Sequence, residues 1–411
     1  MDEQFHIPQV ARYCAWDFSW DPKITTPPGL YVLTYIQYIL TRLVGIRAWC
    51  SDPAFARSTN TLLGPLLVQA ACSFLVVRTS RSILYVVLLG TTCAMLPPLY
   101  FFYYLYYTDV LSVAFVLWAL VLSDASYHGT AAFFGLLSLV FRQTNIVWIM
   151  FMLGAALLQP LEQGSSSKAV FARLQDPAVL RRMCKIALPY IPALLFFLAF
   201  LVWNRGQVVL GDQSNHSFSL HLPQLGYFFA FALFFGWPLL AFLLIARRVR
   251  IGTAHLVWIA VLTMLGVLAV YKYTVVHPFM LADNRHYMFY VWRRILNAHP
   301  LARYALTPLY ATSAVLWTSA LAHARSVLWV LGLLVATSLA LVPTPLIEPR
   351  YYVLPFMLMW LTVSGTLRAR RLAMVLVQAA WFVCINASTI YLFLSYPFTW
   401  PHEPGMQRFM W

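Results

Sequence analysis

Residues 224–245 read QLGYFFAFALFFGWPLLAFLLI, and ARRVRIG follows at 246–252. The run carries no charge, and at about 1.5 Å per helical residue it is long enough to cross roughly 30 Å of hydrocarbon. Arg247, Arg248 and Arg250 then close it, as basic residues do on the cytosolic side of a membrane. Outward from here the alternation repeats along the whole chain. Apolar runs lie at about 28–46, 57–77, 82–96, 109–123, 129–141 with 145–159, 186–204, 224–245, 254–272, 304–320, 327–342, 350–366 and 372–396, giving eleven to thirteen crossings. Hydrocarbon offers no partner to an unpaired backbone group, so such runs cross as helices. The chain reads as an all-α polytopic membrane protein, a single integral domain over 1–411.

Composition supports this reading and excludes others. Of 411 residues, 61% are hydrophobic and 10% charged, which rules out an ordinary soluble domain. The net charge of +15 could suggest nucleic acid. The basic residues, however, sit in short clusters between apolar runs, such as Arg368, Arg370 and Arg371, so the partner they imply is a lipid bilayer and not a nucleic acid. Cysteines 14, 50, 72, 93, 184 and 384 are scattered without a CxxC, which argues against a disulfide framework or zinc site and for small buried hydrophobes. No signal peptide is visible, because Asp2 and Glu3 open the chain and no apolar segment precedes Leu30.

The polar loop 160–185, with Lys168, Arg173, Arg181, Arg182 and Lys185, is cytosolic by its charge. Alternation then places 205–223, 273–303, 343–349 and the tail 397–411 on the far face. Asn215-His216-Ser217, a glycosylation sequon, falls there, whereas Asn386-Ala387-Ser388 lies inside an apolar run, out of reach. Pro97-Pro98 and the polar FRQTN at 141–145 interrupt the runs before residue 160, so the sidedness of 28–160 stays open.

Ionisable groups at membrane depth are costly and point to function. Met1–Tyr31, MDEQFHIPQVARYCAWDFSWDPKITTPPGLY, holds four of the thirteen carboxylates: Asp2, Glu3, Asp17 and Asp21. It reads as half of an active site. Further groups are YYTD with Asp109, FRQTN with Arg142, LADNRHY with Asp283, Arg285 and His286, and IEPRYY with Glu348 and Arg350. A carboxylate facing a cluster of arginine and histidine suits transfer of a group from a phosphate leaving group to a hydroxyl. The carboxylate takes the hydroxyl proton and the cations hold the departing phosphate. Structural alternatives stand beside this: Arg350 with Glu348 as an ion pair at a helix start, and Arg142 as a snorkelling or packed arginine. His6, His128, His221, His255 and His323 read as polar helix ends, and Phe101–Tyr104 as an interfacial aromatic belt. No metal-ligand spacing is visible and no cofactor is implied.

MDEQFHIPQ, WDPKITTPPGLY, LYFFYYLYYTD, FRQTN, GDQSNH, HPFMLADNRHYMFYVWRR, LIEPRYYVLPF and QRFMW, in order from end to end, resemble the endoplasmic-reticulum dolichyl-phosphate-glucose-dependent α-1,2-glucosyltransferases. The resemblance implies a multi-pass GT-C-type fold in the endoplasmic reticulum membrane with a lumenal active site. Residues 1–27 would be the first lumenal loop and 397–411 a lumenal tail. The implied donor is dolichyl phosphate glucose, and the acceptor is a diglucosylated dolichyl-diphosphate oligosaccharide. With a β-linked donor and an α-linked product the reaction inverts, so one base suffices and no covalent enzyme intermediate forms. By position that base is Asp2, with Glu3 its neighbour. LIEPRYYVLP is similar to a mannosyltransferase signature whose arginine lies near the lipid phosphate. This gives Arg350 as phosphate ligand, helped by Arg285 and His286, with Asp21 either binding acceptor or shaping the loop.

Family members carry a transmembrane helix ahead of the MDE motif, and this chain starts at that Met. Two alternatives follow from that difference: a shortened inactive product, and a non-catalytic membrane regulator of a channel or transporter.

Overall fold

The computed structural model describes residues 3–46, 49–77, 82–162, 172–212, 218–367, 371–401 and 403–411. The chain packs as two compact units, each discontinuous in sequence. One comprises Met1–Arg78, Phe102–His216 and Leu331–Ala336; the other comprises Thr79–Phe101, Ser217–Val330 and Thr337–Trp411. Among the described residues, helices Pro53–Val77, Pro177–Trp203, Pro223–Ile245, Thr253–Tyr273 and Leu372–Ser395 are long and apolar enough to cross a membrane. Shorter apolar helices cover Ile83–Ala94, His128–Leu139, Gln143–Leu158 and Val327–Leu341. Asp109–Asp124, Thr307–Ala322 and Pro349–Gly365 are helical too, and the apolar runs after residue 50 each became a helix with bounds shifted by a few residues. The composite run 129–159 resolves into His128–Leu139 and Ile146–Leu158, broken at FRQTN. There Arg142 is extended and Gln143–Asn145 forms a 3-10 turn.

In the first unit the expectations for the cysteines and for the first apolar run fail. Cys14 and Cys50 form a disulfide with their Cα atoms 5.8 Å apart, against the reading of all six cysteines as buried thiols. Scattered spacing hid the pair because a bridge needs only proximity in space, which the fold between them supplies. The run 28–46 is also not a crossing. Helix Gly29–Leu43 has 15 residues, about 22 Å, no longer than Val327–Leu341, so its flanks and not its length decide the matter. The bridge ties the chain before this helix to the chain just after it, so both flanks lie on one face. The helix buries Leu30, Tyr31 and Thr34 while Val32, Ile36, Ile39, Leu40 and Leu43 are exposed. That apolar stripe, continued by exposed Trp16, Phe18, Val44, Ile46 and Trp49, suits an interfacial helix pressed against lipid.

The same unit gathers segments whose sidedness the sequence left open. Glycine at position 29 lets the backbone approach closely: its N–H donates to the Val140 carbonyl at 2.7 Å, and a Cβ there would meet that oxygen at 2.4 Å. Gln143 Nε2 donates to the Thr25 carbonyl at 3.0 Å, and the Leu210 N–H donates to the same carbonyl at 3.4 Å. Asn60 Nδ2 donates to the carbonyls of Leu105 and Tyr107, both at 2.7 Å. The first loop, 103–109, 140–145 and 205–212 therefore share one face. Val10, Tyr13 and Ile24 of the first loop join Leu30, Tyr31, Tyr106, Leu111 and Phe141 in one buried core.

In the second unit, helix Pro349–Gly365 is the buried centre, with Tyr352, Phe356, Met357 and Trp360 enclosed. Phe231 packs against Tyr352 and Phe356, and Trp317 packs edge-on against Phe356. Gln224 orders the approach to this helix: its Nε2 donates to the Leu346 carbonyl at 2.6 Å, and its Oε1 accepts from the Tyr352 hydroxyl. The chain ends in an antiparallel hairpin, Phe398–Trp400 with Glu403–Gln407.

Candidate active site

Helix Glu3–Cys14 opens the first unit, and Glu3 anchors it. Arg57 donates Nε to Glu3 Oε1 at 2.9 Å and Nη2 to Oε2 at 2.8 Å, while the Tyr106 N–H donates to Oε1 at 2.6 Å. Glu3 is thus committed to three charge-assisted bonds that tie the start of the first helix to helix Pro53–Val77 and to the YYTD segment. Asp2 lies outside the described residues. Further along, Gln9 is buried and closes the loop, with Nε2 donating to the Ser19 carbonyl and Oε1 accepting from the Asp21 N–H. Asp21 accepts from the Lys23 N–H at 2.9 Å, an Asx-type turn that shapes the loop. The Asp17 carboxyl is held below its usual range by bonds from Ser19. His6, read as a polar helix end, is instead buried, with Nδ1 2.5 Å from the Tyr31 hydroxyl.

Beside this loop Arg142 Nη1 lies 3.2 Å from Asp109 Oδ1, with both side chains largely buried. The break at FRQTN serves this geometry: a continuous helix would carry Arg142 around its axis, whereas the extended residue meets the first turn of helix Asp109–Asp124. Asn145 Nδ2 fastens the break by donating to Ser112 Oγ and the Ser138 carbonyl. An apolar cavity of about 380 Å³ lies in the same unit, lined by Trp20, Pro27, Val140, Phe197, Trp203 and Leu210 among others. Its lining suits hydrocarbon rather than sugar.

In the second unit Asp283 and Arg285 pair through two bonds, Nε to Oδ1 at 2.8 Å and Nη2 to Oδ2 at 2.7 Å. His286 Nε2 is 3.7 Å from Asp283 Oδ2. Burial raises the Asp283 pKa, but bonds from Arg285 and the charges of His286 and Arg285 outweigh it, so the carboxyl titrates below its usual range. Burial pushes the neighbouring Tyr287 hydroxyl up to about 12. Glu348 precedes helix Pro349–Gly365, and its Oε2 accepts from Arg350 Nε, as in the ion-pair reading of that motif. Burial also drives His221 down to about 4, against the opposing backbone of Pro345 and Thr344.

The structure therefore brings Glu3, Asp21, Asp109 and Arg142 into one unit, and Asp283, Arg285, His286, Glu348 and Arg350 into the other. Among the described residues no group of three or more His, Cys, Asp or Glu converges as a metal site would require. Sequence reasoning missed Arg57, the partner of Glu3, since nothing marks one arginine at the foot of an apolar run. It also missed Gln407 and Trp400, which contact the Arg285 segment, although Gln407 opens the closing QRFMW motif.

Residues 1–361 match the DIE2/ALG10 family. The mouse protein named Dol-P-Glc:Glc(2)Man(9)GlcNAc(2)-PP-Dol alpha-1,2-glucosyltransferase is 33% identical over 448 aligned residues, covering 100% of this chain and 93% of its own length. A human protein of the same name is 34% identical with the same coverage. One from Arabidopsis thaliana is 33% identical over 485 aligned residues, covering 100% of this chain and 94% of its own. No solved structure matches the chain. Identity at this level along the full length joins the family match, and the chain belongs to the DIE2/ALG10 family.

Proposed function

We propose that this protein transfers glucose from dolichyl phosphate glucose to the terminal glucose of a diglucosylated dolichyl-diphosphate oligosaccharide, forming an α-1,2 linkage in the endoplasmic reticulum membrane. The observation that carries the reading is the end-to-end similarity to glucosyltransferases that bear this donor and acceptor in their names. The Cys14–Cys50 disulfide agrees with a first loop facing an oxidising lumen. The apolar cavity agrees with a lipid-borne substrate.

In the proposed step the Asp2 carboxylate takes the proton of the acceptor's 2-hydroxyl as that oxygen forms its bond to C1 of the donor glucose. The C1–O bond to phosphate breaks, and its electron pair leaves on dolichyl phosphate. One displacement inverts the anomeric centre, so no covalent enzyme intermediate is needed. Glu3 holds the loop that carries Asp2. Arg350, with Arg285 and His286, stabilises the charge gathering on the phosphate. The test is to supply purified protein with defined donor and acceptor and analyse the product. The reading requires one added hexose that an α-1,2-specific glucosidase removes; no transfer from dolichyl phosphate glucose, with transfer from another lipid-linked sugar, would refute it.

A further inference from the structure

We propose that residues 397–411 form a strap that positions Arg285 and His286 for glucosyl transfer, with Gln407 and Trp400 as its positioning residues. The proposal rests on the reading of the 283–286 segment as phosphate-facing.

Three consecutive residues of that segment are each held by the tail. Trp400 Nε1 donates to Asn284 Oδ1 at 2.8 Å. The Trp400 ring lies 4.4 Å beneath the Arg285 guanidinium carbon, a cation–π contact. Arg285 Nη1 donates to Gln407 Oε1 at 3.0 Å, and both residues are buried. The backbone completes the hold: the Met410 N–H donates to the Arg285 carbonyl at 2.9 Å and the Tyr287 N–H donates to the Met410 carbonyl at 3.0 Å. The tail is itself pinned. Arg408 Nη1 donates to the carbonyls of Phe393 and Leu394 at the end of helix Arg371–Ser395, Phe398 packs at a tilt against Phe409, and the Trp411 ring packs on Tyr287 and Phe235.

These contacts also fix which histidine nitrogen meets a ligand. His286 Nδ1 lies 3.0 Å from the Trp411 oxygen, an atom that can only accept, so Nδ1 carries the hydrogen. The other nitrogen, Nε2, is left facing the Asp283 side, and the side chain is 34% exposed. With Nδ1 held by the tail, Nε2 is the nitrogen left to donate to a ligand phosphate, which it does when the ring carries both hydrogens. Asp283 and Gln407 fix Arg285 from two sides, and its plane is set by the Trp400 face. A guanidinium and an imidazole held in this way lose little entropy on meeting a phosphate, which is where such positioning lowers a barrier.

The experiment compares Gln407→Met, Gln407→Glu, Trp400→Phe, Arg285→Ala and His286→Ala in the full chain, with donor KM and kcat measured separately. Gln407→Met keeps the side-chain volume but offers Arg285 no oxygen, and kcat should fall about tenfold while KM moves little. Gln407→Glu keeps an acceptor and should recover turnover to within a few fold. Trp400→Phe keeps the ring, loses the bond to Asn284, and should fall between them. If Arg285→Ala and His286→Ala lose turnover while Gln407→Met keeps it, or while Gln407→Met only lowers the yield of folded enzyme, the strap is wrong and the proposed transfer stands. If Arg285→Ala and His286→Ala both turn over normally, the phosphate-facing reading fails and the strap fails with it.

Discussion

Replacing Glu3 by alanine removes a carboxylate that accepts three hydrogen bonds, and the structure ranks their worth. The two bonds from Arg57 involve a guanidinium whose side chain is 44% exposed, so solvent screening limits that pair to roughly 0.5–1 kcal/mol. The bond from the Tyr106 N–H is different, because Tyr106 is fully buried and its amide would lose its acceptor in a site closed to water, at a cost of about 1–3 kcal/mol. Glu3→Ala should therefore weaken the docking of the first helix by roughly 1.5–4 kcal/mol. Arg57→Ala should cost only about 0.5–1 kcal/mol, since Glu3 would still accept from Tyr106. Glu3→Gln keeps an oxygen for the amide, loses the ion pair, and should lie near Arg57→Ala. Thermal unfolding of the detergent-solubilised variants gives the stability order, and glucose transfer shows whether the loop remains docked in turnover. Arg57→Ala proving as damaging as Glu3→Ala would refute the ranking, because the anchor would then be the ion pair and not the buried amide.

The disulfide and two buried charge sites yield further expectations. Cys14 and Cys50 should resist alkylation until reduced and should map to one another in non-reducing peptide analysis. In a chain-entropy account, loss of this bridge across a separation of 36 residues costs at most about 4 kcal/mol. Free thiols in the native protein would contradict the assignment. His221 has a pKa lowered to about 4, so it stays neutral in the folded protein while an unfolded histidine begins to take a proton near pH 6.5. Its stabilising effect is complete above about pH 6.5 and is lost as pH falls toward 4, reaching on the order of 3 kcal/mol. The melting temperature of His221→Gln should accordingly fall less between pH 7 and pH 5 than that of the parent, and equal falls would argue against the shift. Arg142→Leu should destabilise by roughly 3–5 kcal/mol by stripping a buried partner from Asp109, with Asp109→Asn/Arg142→Leu recovering much of it. A double variant no more stable than Arg142→Leu in chemical denaturation would count against a direct pair.

The helices after residue 50 were legible because an apolar run of sufficient length has one solution in lipid. The same rule misread 28–46: hydropathy measures how apolar a segment is, and an interfacial helix with Val32, Ile36, Ile39, Leu40 and Leu43 on one face scores like a short span. Glu3 and Arg142 were legible as residues that matter, yet not by partner. Tyr106 N–H and Asp109 reach them through tertiary contacts that no local pattern encodes. Arg350 and Glu348 stand two residues apart, and there adjacency was enough to suggest the pair. Gln407 and Trp400 were hidden for the opposite reason: their partners Arg285 and Asn284 lie more than a hundred positions upstream.

The central claim is inverting glucose transfer with the first-loop carboxylate as base, and Asp2→Asn tests it most directly. The asparagine keeps shape and hydrogen-bonding capacity but cannot take the hydroxyl proton. In purified full-length protein with a melting temperature matching the parent, transfer from dolichyl phosphate glucose should fall by at least about a hundredfold. Transfer within a few fold of the parent would contradict the assignment of Asp2 and the mechanism built on it.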